Sequence, residues 1–440
     1  MRPYLRVANV FEDRIDLSDV MEMNFTPAEA EVFQLEPGDI LLNEGQSKEL
    51  VGRPAMYRGE LPGACFTNSL VRFKSGPGVI PEYALHLYRY WLRSGEFQKI
   101  AQITTNIAHL GAGRFAAMEM PLAPLYEQRR IVAKIEELTD RSRRAREALE
   151  AVPALLDRFR QSVLAAAFRG DLTAEWRVTN DHSLPDLDYI KIDELGWGHA
   201  KAVVACDKVQ SGSTPPADQF LREGEIPFLK VYNIVDQEVA FSYRPQFVGL
   251  ETHHTRLKRS IAYPGDVLMN IVGPPLGKIA IIPDTYPEWN LNQAITLFRV
   301  GPHLDNRFLY YYLSQNAVIQ GLLPETRGSA GQSNISLTQC RELVLPIPPL
   351  EEQRSIVAAI EDRLGLETTV GAVLDAALSR FLPLDQAVLA KAFRGELVPQ
   401  DPNDESASAL LERIRDEKAE AVVPKARRVR KPRELAEARG

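Results

Sequence analysis

The sequence predicts an α/β (α+β) fold: two mixed domains in tandem, separated by long helices that form an antiparallel coiled coil, with pseudo-two-fold symmetry. The first observation is a repeat, because PLYEQRRIVAKI (124–135) returns as PLEEQRSIVAAI (349–360) with nine of twelve positions identical. The second is that VLAAAFRGDL (163–172) returns as VLAKAFRGEL (388–397) at the same spacing of 225 residues. Such self-similarity indicates a duplicated unit.

The region before each matched pair is predicted to mix strands and helices. The runs LRVANV, DILLN, SLVRF, GDVLMNIV, KIAII and AITLF are short, rich in β-branched residues and bounded by Gly, Pro and Asn, which is typical of strands. Residues 82–102 and 307–323 show helical periodicity, one helix in each half. The two halves also match weakly at EPGDILLN (36–43) and YPGDVLMN (263–270), and at PYLRVANV (3–10) and PFLKVYNI (227–234).

The matched regions predict long helices with an apolar stripe. In the first copy the stripe steps by four and three residues alternately, which is a heptad pattern: Ile131, Ile135, Leu138, Ser142, Ala145, Leu149, Val152, Leu156, Phe159 and Val163. In the second copy Arg363 and Glu367 interrupt it: Ile356, Ile360, Arg363, Glu367, Val370, Leu374, Ala377, Phe381, Leu384 and Val388. Pro153, Gly371 and Pro383 are expected to kink or split these helices. A continuous helix over 125–169 would span on the order of 65 Å.

Composition places the chain among globular proteins of more than one domain. It has 440 residues, 45% hydrophobic and 25% charged, with a formal net charge of -7. The three cysteines, Cys65, Cys206 and Cys340, form no C-x-x-C pair, which suits a reducing cytoplasm. The N-terminus has no apolar signal-peptide core, and no run of about 18 apolar residues predicts a membrane span. We therefore expect a cytoplasmic protein.

The repeated motifs resemble those of one known family. The pattern PLxEQRxIVAxIE followed by VLAxAFRGxL, present twice between dissimilar regions, is similar to that of the specificity (S) subunits of type I restriction-modification systems. Residues 195–234, with the S-G-S-T-P turn at 211–215, resemble the opening of the family's recognition domain. Residues 104–125 resemble its approach to the first spacer helix, and the resemblance covers nearly the whole chain.

The resemblance implies a division of the chain by function. Target recognition domains are expected at 1–123 and 194–345, spacer helices at 124–170 and 346–397, a linker at 171–193, and a polar helix with a basic, disordered tail at 398–440. The two domains would read the halves of a bipartite DNA site at a gap fixed by the helices, which would dock two methyltransferase subunits. Residues 194–225 have no counterpart in the first half, so about thirty residues of the first domain are expected to be missing.

The resemblance also implies a subunit without chemistry of its own. S-adenosylmethionine, ATP and Mg are expected on partner subunits, namely the adenine methyltransferase and a separate motor-nuclease restriction subunit, and no cofactor on this chain. GPPLGK (273–278) lacks the spacing and the Ser or Thr of a phosphate loop, and no G-x-G-x-x-G is present. His253 and His254 lack helical metal-ligand spacing, so we expect no metal and a surface or DNA-facing turn there.

Two groups of side chains are the predicted functional residues. The predicted DNA contacts are amides, hydroxyls and cations suited to base edges or phosphates: Arg6, Asn9, Lys48, Asn68, Arg72, Thr104, Thr214, Lys230, Asn233, Arg256, Lys258, Arg259, Asn292, Gln293 and Arg327. The predicted spacer and partner-docking residues lie in the repeated motifs: Glu127, Gln128, Arg129, Ile131, Ile135, Leu138, Phe168, Arg169, Gly170, Glu352, Gln353, Arg354, Ile356, Ile360, Phe393, Arg394 and Gly395.

The charge balance limits what the chain does alone. Residues 1–123 hold 15 acidic against 12 basic side chains, and residues 186–345 hold 17 against 14. Because phosphate neutralisation supplies most nonspecific affinity, the isolated chain is expected to bind DNA weakly until methyltransferase subunits add positive surface. Two alternatives remain open from the residues: a coiled-coil adaptor with two protein-binding heads, and a self-contained restriction or modification enzyme.

Overall fold

A computed structural model describes residues 1–104, 106–180, 183–323 and 334–422. The chain divides into two compact units, and neither is a continuous stretch of sequence. The first unit combines Met1–Glu150 with Leu374–Gly440, and the second is Ala151–Val373. Each unit therefore holds one mixed region together with parts of both helical regions.

The first unit begins with eleven short strands and five helices: β1 (Arg2–Leu5), β2 (Val10–Phe11), β3 (Arg14–Ile15), β4 (Met21–Met23), α1 (Pro27–Phe33), β5 (Ile40–Asn43), β6 (Gly45–Gln46), β7 (Pro54–Met56), β8 (Cys65–Phe66), β9 (Leu70–Phe73), α2 (Pro81–Ser94), α3 (Glu96–Ile100), β10 (Gln102–Thr104), β11 (Ile107–His109), α4 (Ala112–Ala116) and α5 (Leu125–Glu150). The strands form sheets of order β4-β1-β8, β7-β5-β9 and β10-β11-β6, and a β2–β3 hairpin.

The second unit has a related arrangement, also with four sheets among the residues that the structure describes. Its elements are α6 (Val152–Phe168), α7 (Ala174–Thr179), β12 (Lys191–Ile192), β13 (Gly198–Lys201), α8 (Ala202–Ala205), β14 (Cys206–Ser211), β15 (Phe220–Leu221), β16 (Ile226–Leu229), β17 (Ile234–Val235), β18 (Glu238–Val239), β19 (Phe247–Val248), α9 (Leu250–His254), β20 (Val267–Asn270), β21 (Ile279–Ile281), β22 (Asn290–Leu291), β23 (Ile295–Val300), α10 (Asn306–Leu313), α11 (Asn316–Leu322), α12 (Leu337–Glu342), β24 (Val344–Ile347) and α13 (Leu350–Leu378). The strands form sheets of order β12-β13-β24, β14-β23-β20-β21 and β15-β19-β16-β22, and a β17–β18 hairpin.

The chain then returns to the first unit as α14 (Phe381–Phe393) and α15 (Ala407–Val422). Helix α14 pairs with α5 in the antiparallel sense. The Arg146 guanidinium lies over the Phe381 ring, and the Ser142 hydroxyl donates to Asp385 at 3.1 Å. Nearer the start of α5, Ile131 and Ile135 share a core cluster with Leu389. Residues near the end of α5 thus contact the start of α14, and residues near the start of α5 contact the end of α14.

Several predicted elements have different boundaries. LRVANV is broken by a 3-10 turn at Val7–Asn9, because the Asn9 side chain accepts from the Arg6 backbone N–H and closes the turn. The helix predicted over 82–102 divides at Gly95, which adopts φ +81. The predicted linker 171–193 is folded: it contains α7 and β12, and β12 pairs with β13. The polar helix predicted within 398–440 is α15.

The prolines divide the long helices as expected. Helix α6 begins at Val152 with Pro153 in its first turn, and α14 begins at Phe381 ahead of Pro383. A proline in the first helical turn loses no hydrogen bond, since that N–H has no partner inside the helix. The apolar stripe is buried near the start of α5 and the end of α6, but Phe159 is 47% exposed. The stripe is thus not a continuous buried seam.

Candidate nucleic-acid interface

The second unit places a polar loop against the end of a buried strand. The backbone N–H groups of Gly212 and Ser213 donate to Ile295 and Leu291 at 2.9 and 3.0 Å. A Cβ added at Gly212 would lie 2.1 Å from the Asn292 carbonyl oxygen, so only glycine allows this approach. The exposed Thr214 hydroxyl then donates to the side-chain oxygen of Gln293. The structure therefore brings together Thr214, Asn292 and Gln293.

These side chains offer the chemistry of a base edge. Thr214 and Gln293 are exposed, and Asn292 is half-buried. The side-chain oxygen of Asn292 is buried and has no hydrogen-bond partner within the described part of the chain. Lys230, also predicted to contact DNA, is half-buried with its ammonium 4.6 Å from the centre of the Phe220 ring. Hydroxyl and amide groups of this kind are suited to direct readout of base edges.

A basic turn in the same unit is open to solvent. Arg256, Lys258 and Arg259 are all exposed, and none forms an ion pair with a residue that the structure describes. The buried residues between them, Leu257 and Ser260, hold the turn in place. Ser260 donates to the Asn290 side chain at 2.7 Å. The three cations are therefore free to meet phosphates.

The predicted contacts of the first unit are more scattered. Lys48, Asn68 and Thr104 are exposed. Arg6 forms an ion pair with Asp19 at 2.5 Å. Arg72 is mostly buried, donates to the Gln34 carbonyl at 3.0 Å, and lies over the Phe66 ring. The Arg72 guanidinium is therefore engaged in contacts within the first unit.

Two predicted contacts need correction. Asn9 and Asn233 are 1% and 0% exposed, and each closes a turn by accepting from the backbone N–H of Arg6 or Lys230 at 3.0 Å. Their amide groups donate to backbone carbonyls, Asn9 to that of Asp16 at 3.0 Å and Asn233 to that of Tyr243 at 2.8 Å. Both amides are fully used inside the fold, so the prediction that they contact DNA is wrong. Arg327 lies outside the described residues.

The two adjacent histidines lie beside a carboxylate that the sequence did not reveal. Nε2 of His253 lies 3.1 Å and Nε2 of His254 3.9 Å from Glu288. His253 is fully buried, which corrects the expected surface turn. Its Nδ1 accepts from the Asn290 amide at 3.0 Å, so the ring hydrogen is on Nε2 and faces Glu288. Burial lowers the pKa of His253, and this tautomer is not the one that a metal at Nε2 requires.

The repeated helix motif has an internal role that the docking prediction missed. The Gln128 side chain accepts from the Ile80 N–H at 2.9 Å and donates to the Gly78 and Ala123 carbonyls at 2.9 and 2.8 Å. Gln353 does the same with Asp305, His303 and Pro348 at 2.8, 2.9 and 2.8 Å. Both glutamines are fully buried. The motif therefore fastens each helix to the mixed region of its own unit.

The second motif has the same role. The ring centre of Phe393 lies 5.4 and 5.6 Å from those of Tyr83 and Tyr90. The ring centre of Phe168 lies 5.2 Å from those of both Phe308 and Tyr312. The buried members of the predicted docking group are internal and cannot meet a partner as they lie: Glu127, Gln128, Ile131, Ile135, Gly170, Glu352, Gln353, Ile356 and Ile360. Leu138 is half-buried, and the exposed members are Arg129, Arg169, Arg354, Arg394 and Gly395.

Apolar side chains exposed along the helices were not singled out from the sequence. In the second unit, Leu155 and Phe159 of α6 are 51% and 47% exposed, and Val373 of α13 is 63% exposed. In the first unit, Leu382 and Leu384 of α14 are 52% and 50% exposed. Such side chains on a helix favour an interaction surface. Phe159 and Leu384 belong to the predicted apolar stripes, which do not say which of their members are covered, and Leu155, Val373 and Leu382 lie outside those stripes.

The geometry describes a protein with two related units, exposed polar and basic side chains on each, and helices built from repeated motifs. Comparison with known proteins identifies the class. Residues 206–369 match the family described as the type I restriction modification DNA specificity domain. The chain is 30% identical to the type I restriction enzyme EcoBI specificity subunit of Escherichia coli over 339 residues, covering 74% of this chain and 70% of that one.

A second relative covers more of the chain. The StySPI specificity subunit of Salmonella potsdam is 29% identical over 439 residues, 95% of this chain and 89% of its own. The crystal structure of the HsdS subunit from Thermoanaerobacter tengcongensis superposes with a TM-score of 0.53 at 21% identity, over 90% of each chain. A chain from a structure of a type I restriction-modification system superposes with a TM-score of 0.63, also at 21% identity, over 90% of this chain and 92% of that one.

The chain therefore belongs to the specificity subunits of type I restriction enzymes, a non-catalytic class that confers DNA sequence recognition. This confirms the predicted family and argues against both the adaptor and the self-contained enzyme. Among the described residues, no helix is both long and apolar enough to cross a membrane.

Proposed function

We propose that the two units read the two halves of a bipartite DNA site, and that their helices set the gap and dock two methyltransferase subunits. The observation that carries the proposal is the duplication of one framework around dissimilar loops. Gln128 and Gln353 make the same three bonds in each unit, whereas the side chains on the matched loop edge differ, with Thr67 and Asn68 where the second half has Asn292 and Gln293. A repeated scaffold with different loops suits two different half-sites.

In the second unit, the proposed base-reading residues are Thr214, Asn292 and Gln293, because they share one loop edge and present amide and hydroxyl groups. Arg256, Lys258 and Arg259 are proposed to contact phosphates, which position a protein on the duplex without reading its sequence. In the first unit, Lys48, Asn68 and Thr104 are the exposed candidates. Arg6 and Lys230 stay as secondary candidates, because both are half-buried.

Partner docking is proposed for the exposed apolar side chains of the helices rather than for the buried motif residues. Phe159, Leu155 and Val373 serve this purpose in the second unit, and Leu382 and Leu384 in the first. The methyltransferase subunits would carry S-adenosylmethionine, and a restriction subunit would bring ATP and Mg. No cofactor is proposed on this chain.

The test is reconstitution followed by methylation mapping. The full chain, co-expressed with the methyltransferase subunit from the same genome, should methylate adenines in a two-part motif with a constant gap. A Phe159→Asp, Leu155→Asp variant should fail to assemble while the chain stays folded. The exposed Glu136→Gln on α5 is the control and should assemble normally. Methylation at a single half-site, or assembly that the double substitution leaves unchanged, would contradict the proposal.

The charge of the chain gives a second test. With more acidic than basic side chains in both recognition regions, the isolated chain should bind a duplex carrying its site weakly. Addition of the methyltransferase subunits should restore tight binding that falls steeply with salt. Tight, sequence-specific binding by the chain alone would show that the missing positive surface is not supplied by a partner.

A further inference from the structure

The four-stranded sheet β15-β19-β16-β22 of the second unit packs its two faces against different clusters. Phe228 and Val248 point to one face, where they pack with Leu257 of the basic turn, and we call it the Phe228 face. Leu229 and Leu291 point to the other face and join a separate cluster. Since neighbours along a strand face opposite sides of a sheet, this alternation fixes the direction of the polar side chains at the strand ends.

Gln246 lies on the Phe228 face, one residue before strand β19. The Phe228 N–H donates to the Gln246 carbonyl at 2.8 Å, so the strand pairing continues to this residue. Gln246 precedes Val248 by two positions, and its half-buried side chain therefore points to the same face. Its carboxamide oxygen is buried and accepts no hydrogen bond from any residue that the structure describes. An acceptor left in this state costs about 1–3 kcal/mol.

Asn292 has the same features at the end of β22. It follows Asn290, the pairing partner of Phe228, by two positions and so points to the Phe228 face. Its buried side-chain oxygen likewise has no partner within the described ranges. Lys230, two positions after Phe228, holds its ammonium 4.6 Å from the centre of the Phe220 ring on this face. The Phe228 face therefore ends in two amides on either side of a cation.

Other amides of this unit are used within the fold. The Asn290 carboxamide accepts from the Ser260 hydroxyl at 2.7 Å and donates to the Leu257 carbonyl at 3.2 Å. Through these bonds it holds the basic turn against the Phe228 face. Gln246 and Asn292 differ from such amides, because their acceptor oxygens contribute no hydrogen bond to the described part of the fold.

We infer that Gln246 is a further base-reading residue, which acts beside Asn292 and recognises an adenine. A glutamine carboxamide donates to N7 and accepts from the N6 amino group of adenine, so this contact gives its oxygen the donor that it lacks in the fold. Because β16 lies between β19 and β22, and neighbouring strands are about 4.8 Å apart, the two amides are separated by roughly 10 Å. This exceeds one base step of about 3.4 Å, so they read different base pairs.

The equivalent face of the first unit carries different side chains. Met21 pairs with Tyr4 at the position of Gln246, and Thr67 lies at that of Asn292. Neither a thioether nor a hydroxyl can make the two-bond contact of an amide with adenine. The Gln246 contact therefore belongs to one half-site only. This inference rests on the proposed function, because it assumes that the second unit reads one half of the DNA site.

The test uses the full chain assembled with the methyltransferase subunit, in competition binding against duplexes that carry each single base-pair change in the bipartite motif. Gln246→Met keeps the length of the side chain, removes the amide and introduces the residue of the first unit. The preference for one A·T pair of a single half-site should fall about tenfold, as expected for the loss of one bidentate contact. Preferences at all other positions should stay the same, which a loss of folding would not produce.

Gln320→Met is the matched control, because it makes the same change to an exposed glutamine of α11, outside this sheet. It should leave every preference unchanged. If Gln246→Met changes no preference, or weakens binding to all duplexes alike, the inference is overturned while the bipartite motif of the unmodified complex still supports the proposed function. A loss at a G·C pair would overturn the assignment to adenine. An unmodified complex without a bipartite motif would overturn both.

Discussion

The two units carry the same helix motif, yet one buried glutamate is satisfied and its counterpart is not. Around Glu352, the donors are Thr173, Arg177 of α7 and Trp197, which immediately precedes β13. Around Glu127, the same helix and the same glutamine bonds are present, but these donors are absent among the described residues. The comparison teaches that the motif specifies how a helix meets its own domain, while the enclosure of its glutamate depends on a separate segment.

The largest expected effect comes from breaking the satisfied site. Glu352→Gln removes a charge that is paired with Arg177, itself 13% exposed, and leaves that guanidinium uncompensated. Removing one partner of a buried pair costs about 3–5 kcal/mol, so the free energy of unfolding should fall by that order. Urea unfolding followed by tryptophan fluorescence measures it. Glu127→Gln should change the free energy of unfolding by less than about 1 kcal/mol. Equal losses in the two variants would show that the two glutamates do not differ in how they are stabilised.

The units should also differ in their response to acid. Burial, aided by the Arg89 charge, lowers the pKa of His86 to about 4, whereas Tyr311 holds this place in the second unit. As the pH falls below 6.5, His86 therefore becomes protonated in the unfolded chain while it stays neutral in the folded chain. Stability should fall by about 3 kcal/mol between pH 6.5 and 4 through this group.

His86→Tyr should remove that part of the pH dependence, measured as urea unfolding at pH 7 and pH 4.5. His109→Gln changes a histidine whose side chain is 39% exposed and should leave the dependence in place. An acid response of the His86→Tyr chain as steep as that of the unmodified chain would show that other groups cause it.

Gln128 and Gln353 make equivalent hydrogen bonds in the two units, so their substitution tests whether both stabilise the fold to the same extent. Gln128→Ala and Gln353→Ala each leave one backbone N–H and two carbonyls without their partner. Buried groups left unsatisfied cost about 1–3 kcal/mol, and we expect both variants to lose stability by a similar amount within this range. Thermal and urea unfolding measure the losses. A large loss for one and none for the other would contradict the shared role.

Base reading by the second unit should be sensitive to a single side chain. Gln293→Ala, in the assembled methyltransferase complex, should relax the preference for one base pair of a single half-site, worth about 1–3 kcal/mol. Lys258→Gln should instead weaken binding to all sequences alike and reduce the salt slope by about one. Competition binding with half-site variants separates the two. Lost preference in both half-sites after Gln293→Ala would show that the units do not read separately.

Much of this arrangement could be predicted from residues alone. The spacing of 225 located both helical regions, and Pro153 and Pro383 marked where the helices divide. The prediction for Asn9 and Asn233 failed because the sequence does not distinguish an asparagine that faces DNA from one whose side chain accepts from a backbone N–H. The pairing of Glu288 with His253 was missed as well, since the two are 35 residues apart.

The sequence by itself determined the duplication, the family and the placement of the helices, because identity at constant spacing and apolar periodicity are properties of the chain order. Only the tertiary structure decided which motif residues are buried and which side chains stay exposed. It also decided that Glu352 is enclosed while Glu127 is not. These outcomes depend on donors from segments remote in the chain, such as Trp197, which lies 155 residues from Glu352, and burial is set by what packs against a residue rather than by its type.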